Sequence, residues 1–283
     1  VFETQRIELW LYWIREREAV RKARFVAGKP PPWSNDHIMN EVRFTNVRRM
    51  DDRVSQWLLN WYAHPLPVAD AVVAATFARL VNRPETLAMY SPQWNGWDPD
   101  RARAALTARA AHGPVFTGAY IINSAVKGSS KIQTVIDTVQ AVHQQRDALT
   151  AYNTVTMQGM HTALQAVRGI GSFIGGQIVA DMRYICGNPD TEWLDRHKWA
   201  PRGPGSARGM AWLMRRDEPV HSELLFSEGL GKLMRTAHRR IPAIHADRQL
   251  EAIDYQNTLC ELSKYVRVMT GGRAKNRFRP IAV

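Results

Sequence analysis

What this chain lacks narrows its class quickly. Only two cysteines occur in 283 residues, Cys186 and Cys260, with no CxxC between them. Neither a disulfide scaffold nor a cysteine zinc site is indicated, and a reducing compartment is expected. The nine histidines contain no HxxxH or HxH pair, the spacings on which a structural zinc relies. No apolar run approaches the roughly 20 residues of a membrane span, and no stretch reads as a signal peptide. A cytoplasmic protein without a membrane partner is therefore expected. Internal repeats and low-complexity linkers are also missing, which sets solenoids and arrays aside.

Acidic residues are in short supply. Lys and Arg number 38 against 26 Asp and Glu, a net charge of +12 and a pI near 10.1. That surplus favours a polyanionic partner, nucleic acid before an anionic membrane. Arg predominates, which suits bidentate contacts to phosphate and carboxylate. The ten tryptophans read first as packing residues and second as platforms on which bases stack.

Helical periodicity runs through most of the chain. Residues 3–27 form an amphipathic pattern with Ile7, Leu11, Ile14 and Glu18 on one stripe, stopped by Gly28 and the prolines at 30–32. Ser34 is placed to cap a helix from about Asn35, with Asp36 in its first turn. Further helices are expected over 51–63, 67–81, 99–111, 130–148, 155–167, 172–185, 206–214, 221–237 and 247–263, and a short strand or extended turn over 113–124. The pattern implies an irregular all-α fold. Its expected division is an N-terminal helical lobe (1–150), a second lobe (151–270) and a basic tail (271–283), or one domain throughout.

Four segments could carry chemistry. Leu164 to Ile178 reads helix, tight Gly169-Ile170-Gly171 turn, helix. Glycines let the backbone turn sharply and approach a ligand, and the N–H groups opening the next helix, from Ser172, can hold a DNA phosphate. Such a contact carries no base information, and the same turn also serves as a plain connection between helices. In Trp199 to Gly209, Gly203, Gly205 and Ser206 precede a helix and Arg202 and Arg208 flank it, which is either an anion cradle or a capped loop with solvated arginines. The segment from Phe44 to Trp57 crowds Asn46, Arg48, Arg49, Asp51, Asp52 and Arg53 together, and from spacing alone it reads as a surface salt-bridge face. From Asp254 to Arg267, Asp254, Asn257, Glu261 and Lys264 fall on one helical stripe, which is either a solvated face or the wall of a site.

Together these segments resemble one family: the helical phage proteins of thymine hypermodification, the alpha-glutamyl/putrescinyl thymine pyrophosphorylases or amino acid:DNA transferases. The helical domain attached to 5-hydroxymethyluracil DNA kinases shares the early part. The matching pieces are Pro32 to Asp36, Phe44 to Trp57, Gly118 to Ile122, Gly169 to Asp181, Gly203 to Gly209 and Asp254 to Arg267. The chain departs at Ser263, where an acidic residue is common.

The resemblance implies a DNA-glycosylase-like helical fold with a helix-hairpin-helix, acting in an infected bacterial cell. It also implies a transferase reaction on 5-(pyrophosphooxymethyl)uracil in duplex DNA, in which an amino acid such as glycine, or a polyamine, displaces pyrophosphate. The base would leave the stack. On this expectation Asp254 and Glu261 are first choices for the base that neutralises the amine, with Asp181 and Asp195 behind them. Asn46, Arg49, Asp52, Arg53, Asn257 and Lys264 would bind substrate, with Arg49 or Arg53 taking an amino-acid carboxylate. Arg202, Gly203, Gly205, Ser206 and Arg208 would bind pyrophosphate, and Gly169, Gly171 and Ser172 would contact DNA. No cofactor is implied, although a magnesium ion carried in with the pyrophosphate is compatible with the reaction. An upstream DNA kinase is an expected pathway neighbour. Two other readings stay open: an N-glycosylase on a modified base, which would depend on Asp195, and a non-catalytic DNA-binding or kinase-associated module.

Overall fold

A computed structural model describes residues 2–62, 65–118, 129–151, 156–186, 193–246 and 249–273. It is all-α: among these residues there is no β-strand, only isolated bridge positions such as Leu66 with Cys186. The chain divides into two compact units, 1–52 with 197–283, and 53–196. This grouping differs from the division near residue 150, because the first and last helices pack against each other and close the outer unit from both ends of the chain.

In the outer unit α1 (Thr4–Arg21) runs on into a π-helical turn, Lys22–Val26. Next comes the short α2 (His37–Glu41), then a 3-10 turn at Arg49–Asp51. After residue 197 follow α10 (Pro204–Leu213), α11 (Glu223–Arg240), a 3-10 turn at Pro242–His245 and α12 (Ala252–Met269). Asp36 caps α2, accepting from the N–H groups of Ile38 (2.9 Å) and Met39. Ser34 is not the cap; its hydroxyl accepts from Asp36 N–H instead, so the cap lies two residues later than spacing suggests. Trp10 ties α1 to α12 through a bond from its Nε1 to Thr258 Oγ1, 3.0 Å.

The α10–α12 pair is very close. A Cβ on Gly205 would fall 2.2 Å from Cys260 Sγ, and one on Gly209 would fall 2.1 Å from the Leu259 carbonyl oxygen. These glycines are therefore needed to bring two helices together.

The inner unit holds α3 (Arg53–Trp61), α4 (Val68–Val81), α5 (Pro84–Tyr90), α6 (Pro99–His112), α7 (Lys131–Ala151), α8 (Met157–Gln165) and α9 (Ser172–Ile185). Every residue of α4 from Ala71 to Val81 is buried, as expected of a helix apolar all round, and α7 and α9 pack on it. A buried ion pair crosses this core: Arg79 grips both oxygens of Asp181 (2.6 and 2.5 Å), and Tyr62 OH also donates to that carboxylate. The helix α5 is too short for periodicity to reveal, but Pro84 at its first position suits an N-terminus. Of the stretch expected to be extended, residues 119–124 lie outside the described residues, as do 274–283 of the basic tail. Six of the ten tryptophans (10, 13, 61, 94, 193 and 199) are buried, which makes packing the main use of that residue here.

Candidate active site

The densest polar constellation lies in the outer unit, where residues 43–52 run between α1 and α12. Three carboxylates hold that segment by its backbone. Glu261 accepts from Thr45 N–H (3.1 Å), Asp52 from Asn46 N–H (3.2 Å) and Asp254 from Arg49 N–H (2.9 Å). Asn257 donates to the Asn46 carbonyl (3.0 Å) and to Thr45 Oγ1. The polar stripe on α12 is thus a wall against which an irregular segment is fastened, not a solvated face.

From α1, Arg17 and Glu18 enter the same layer, 7% and 6% exposed. Arg17 donates from Nε to the Thr45 carbonyl (2.9 Å) and from Nη2 to Asn46 Oδ1 (2.6 Å). Its Nη1 is buried and has no hydrogen-bond partner among the described residues. Glu18 takes both Arg21 (2.9 and 2.7 Å) and Arg48 (3.2 Å), and Arg21 also reaches Asp51 at 3.2 Å. Burying so many charges is costly unless each is paired, and nearly all of them are.

The two carboxylates first expected to act as base are heavily engaged. Asp254 is 1% exposed, and its second oxygen accepts from Glu251 N–H at the start of α12, 3.0 Å. Glu261 is paired with Lys264 Nζ at 2.9 and 2.7 Å. Asp52 differs: its Oδ1 takes one backbone N–H, and among the described residues its Oδ2 has no hydrogen-bond or ion-pair partner. Burial pushes its carboxyl up to about 6, although Asn46 N–H, Arg49 and Arg17 pull the other way. Arg17 is perturbed in turn, with burial lowering its pKa against the opposing charges of Asp52 and Glu261. Sequence spacing missed Arg17; the only hint was a basic residue adjoining the apolar stripe of α1.

The glycine-rich segment at α10 sits on the other side of α12. Gly203 N–H donates to Ser206 Oγ (3.0 Å), and Gln256 of α12 donates to the same hydroxyl at 3.1 Å. Arg202 pairs with Glu223 at 2.8 Å, and Arg208 is exposed. Both Arg208 and Lys264 act electrostatically on Cys260, so they flank one stretch of α12. The Cys260 thiol is pushed up to about 11, chiefly by burial, which disfavours a thiolate there. Among the described residues no three His, Cys, Asp or Glu side chains converge as a metal site would require.

The remaining expected residues belong to the inner unit. Arg53 is exposed as the first residue of α3. Gly169 joins α8 to α9 at φ +95°, and a Cβ there would meet Thr138 Oγ1 of α7 at 2.4 Å, so glycine is required twice over. Gly171 precedes α9 in extended backbone with open space beside it. Ser172 gives its carbonyl to His161 Nε2 at 2.9 Å. Asp195 accepts from Met157 N–H (2.7 Å) and Gln158 N–H (2.9 Å), holding the first turn of α8.

Comparison with known proteins adds the family. The family model described as the helical domain of 5-hmdU DNA kinase matches residues 4–274. The chain belongs to that family. The 5-hmdU DNA kinase of Bacillus phage SP10 is 27% identical to it over 286 residues, an alignment covering 91% of this chain and 45% of the phage protein. The chain thus spans less than half the length of that relative. No solved structure matches it. Membership in this helical-domain family is consistent with a role in DNA modification, and among the described residues no helix is long and apolar enough to cross a membrane.

Proposed function

We propose that the protein is a DNA-modifying transferase in which an amine displaces pyrophosphate from 5-(pyrophosphooxymethyl)uracil. The observation that carries this reading is the buried constellation around Asn46. A segment fastened by three carboxylates, one of them raised to about 6, beside a guanidinium with an edge that has no partner among the described residues, is costly to fold and suits chemistry better than scaffolding. Similarity to a phage protein named for 5-hmdU in DNA and the net charge of +12 support DNA as the substrate.

In this reading Asp52 is the base. The ammonium of the donor gives a proton to the Asp52 carboxylate, and the freed nitrogen lone pair attacks the exocyclic methylene carbon. The C–N bond forms as the C–O bond breaks, and that electron pair leaves with pyrophosphate. A base with a pKa near 6 is ionised at neutral pH yet still accepts a proton. Asp254 and Glu261 hold Arg49 and Thr45 in place, so their part is positioning. Lys264 and the exposed Arg208 supply positive charge for the departing pyrophosphate. On the inner unit, the turn with exposed Gly169 and Gly171 around buried Ile170 leads into a helix without a side-chain cap. This suits a helix-hairpin-helix contact to phosphate, and Phe173 beside it is 46% exposed.

A second reading has its own support. Because the alignment covers only 45% of a kinase, the chain also fits a DNA-binding module that serves a kinase. One assay separates the two. Duplex DNA containing pyrophosphorylated hydroxymethyluracil is incubated with the protein and a panel of amines, then digested to nucleosides for mass spectrometry. A new amine-bearing nucleoside with released pyrophosphate supports the transferase. Unchanged DNA with tight binding refutes it in favour of the module, and free base indicates a glycosylase.

A further inference from the structure

We infer that Arg17 and Asp52 form a clamp for the two opposite charges of a free α-amino acid, making Arg17 the residue that selects an amino acid over a polyamine as amine donor. The inference rests on the transferase reading for what the amine is used for, but the clamp itself is read from geometry. Arg17 is 7% exposed, and two of its three nitrogens are engaged: Nε by the Thr45 carbonyl, Nη2 by Asn46 Oδ1 and more distantly by the Phe44 carbonyl. Among the described residues Nη1 has no acceptor, although it is shut off from water. A desolvated cationic donor left unpaired is strongly unfavourable, so its natural complement is an anionic oxygen brought by a ligand.

One residue links this donor edge to the open carboxylate. The side-chain oxygen of Asn46 accepts from Arg17 at 2.6 Å, and its backbone N–H donates to Asp52 Oδ1 at 3.2 Å. A guanidinium wanting an anion and a carboxylate with one uncommitted oxygen are thereby held a single residue apart. An α-amino acid carries its carboxylate and its ammonium on one carbon, with matching signs. Putrescine carries only cations: it would meet Asp52, leave Arg17 Nη1 unpaired, and add positive charge beside Arg17, Arg24 and Arg49. Pyrophosphate would satisfy Arg17 but oppose Asp52 and Glu261. Glu261 is already held by Lys264 and Thr45 N–H, which leaves Asp52 as the partner for the ammonium.

The test is binding of small molecules to the whole chain without DNA, followed by calorimetry or ligand-observed NMR. The probes are a panel of the common amino acids, the carboxamide of whichever amino acid binds most tightly, putrescine and inorganic pyrophosphate. Saturable binding of an amino acid is expected, with its carboxamide about tenfold weaker, the size of effect that one charge-assisted hydrogen bond produces. Arg17→Lys should weaken the amino acid about tenfold and leave putrescine unchanged, whereas Asp52→Asn should weaken both. The wild-type ratio of acid to carboxamide decides the matter even if Arg17→Lys does not fold. Equal binding of acid and amide, preference for putrescine, or no saturable binding of any amino acid overturns the clamp. Loss of pyrophosphate binding alone in Arg17→Lys also overturns it and assigns Arg17 to the leaving group. Amino-acid binding without transfer to modified DNA would refute the transferase and leave the clamp standing. Transfer from putrescine alone would do the reverse.

Discussion

Replacing Asp52 with Asn removes a charge from a place where charge is expensive while keeping the shape and the Oδ1 acceptor for Asn46 N–H. In the folded protein the carboxyl is lifted from an ordinary 3.8 to about 6, whereas in the unfolded chain it ionises near its ordinary value. Between these two pH values the folded state binds more protons than the unfolded state. Wild-type stability therefore falls as pH rises through this window, and the loss is complete above the folded pKa. At 1.36 kcal/mol per pH unit, the ionised side chain costs on the order of 3 kcal/mol at neutral pH. Asp52→Asn should thus match wild type near pH 4 and be more stable by up to about 3 kcal/mol near pH 8. Urea unfolding of both proteins across that range, followed by tryptophan fluorescence, measures the difference. The same variant should lose transfer activity, and wild-type activity should decline as pH falls below about 6, where the base is protonated. Greater stability with loss of function is expected where a site is maintained against the interest of the fold. A stability difference independent of pH, or a variant less stable than wild type at pH 8, would refute the reasoning.

Four further outcomes are expected. Gly209→Ala places a methyl group against the Leu259 carbonyl and should cost about 1–3 kcal/mol or more through overpacking, whereas Gly203→Ala, whose nearest neighbour would be 3.5 Å away, should change stability little; thermal melts of the two compare them directly. Asp181→Asn leaves Arg79 buried with a weakened partner and should destabilise by about 3–5 kcal/mol, measured by urea unfolding. Asp195→Ala frees two N–H groups of α8 and should cost about 1 kcal/mol without changing the modified nucleoside produced; loss of chemistry with normal stability would instead favour the glycosylase reading. Arg208→Ala should slow use of the pyrophosphorylated substrate with only a modest loss of plain-duplex binding, and equal loss on both DNAs in a gel-shift titration would make it an ordinary backbone contact.

Much of the secondary structure was legible along the chain because a helix writes its own period. The bounds of α9 match the expected 172–185, and α4 and α6 begin or end within a residue or two of their expected limits. What periodicity could not reveal was the use of individual residues. Gly205 belongs to a pattern that fits an anion cradle, but its Cβ direction, like that of Gly209, meets α12, a fact that depends on which helix lies opposite. Asp254, Asn257, Glu261 and Lys264 were correctly placed on one stripe, yet spacing cannot distinguish a stripe facing water from one fastening a buried loop. Arg17 lies about thirty residues before Asn46 and could not be joined to it from sequence.

By itself, then, the sequence determined the helical class, the basic charge that points to a polyanion, and the residues of three polar segments. Those properties are local or additive, so they survive without knowledge of contacts. The tertiary structure decided how each carboxylate is engaged, and it brought Arg17 to Asn46 beside Asp52. Burial and hydrogen bonding depend on neighbours brought from distant parts of the chain. Asp52 and Asp254 are alike in type, and only their surroundings give one a raised pKa and the other a fastening role.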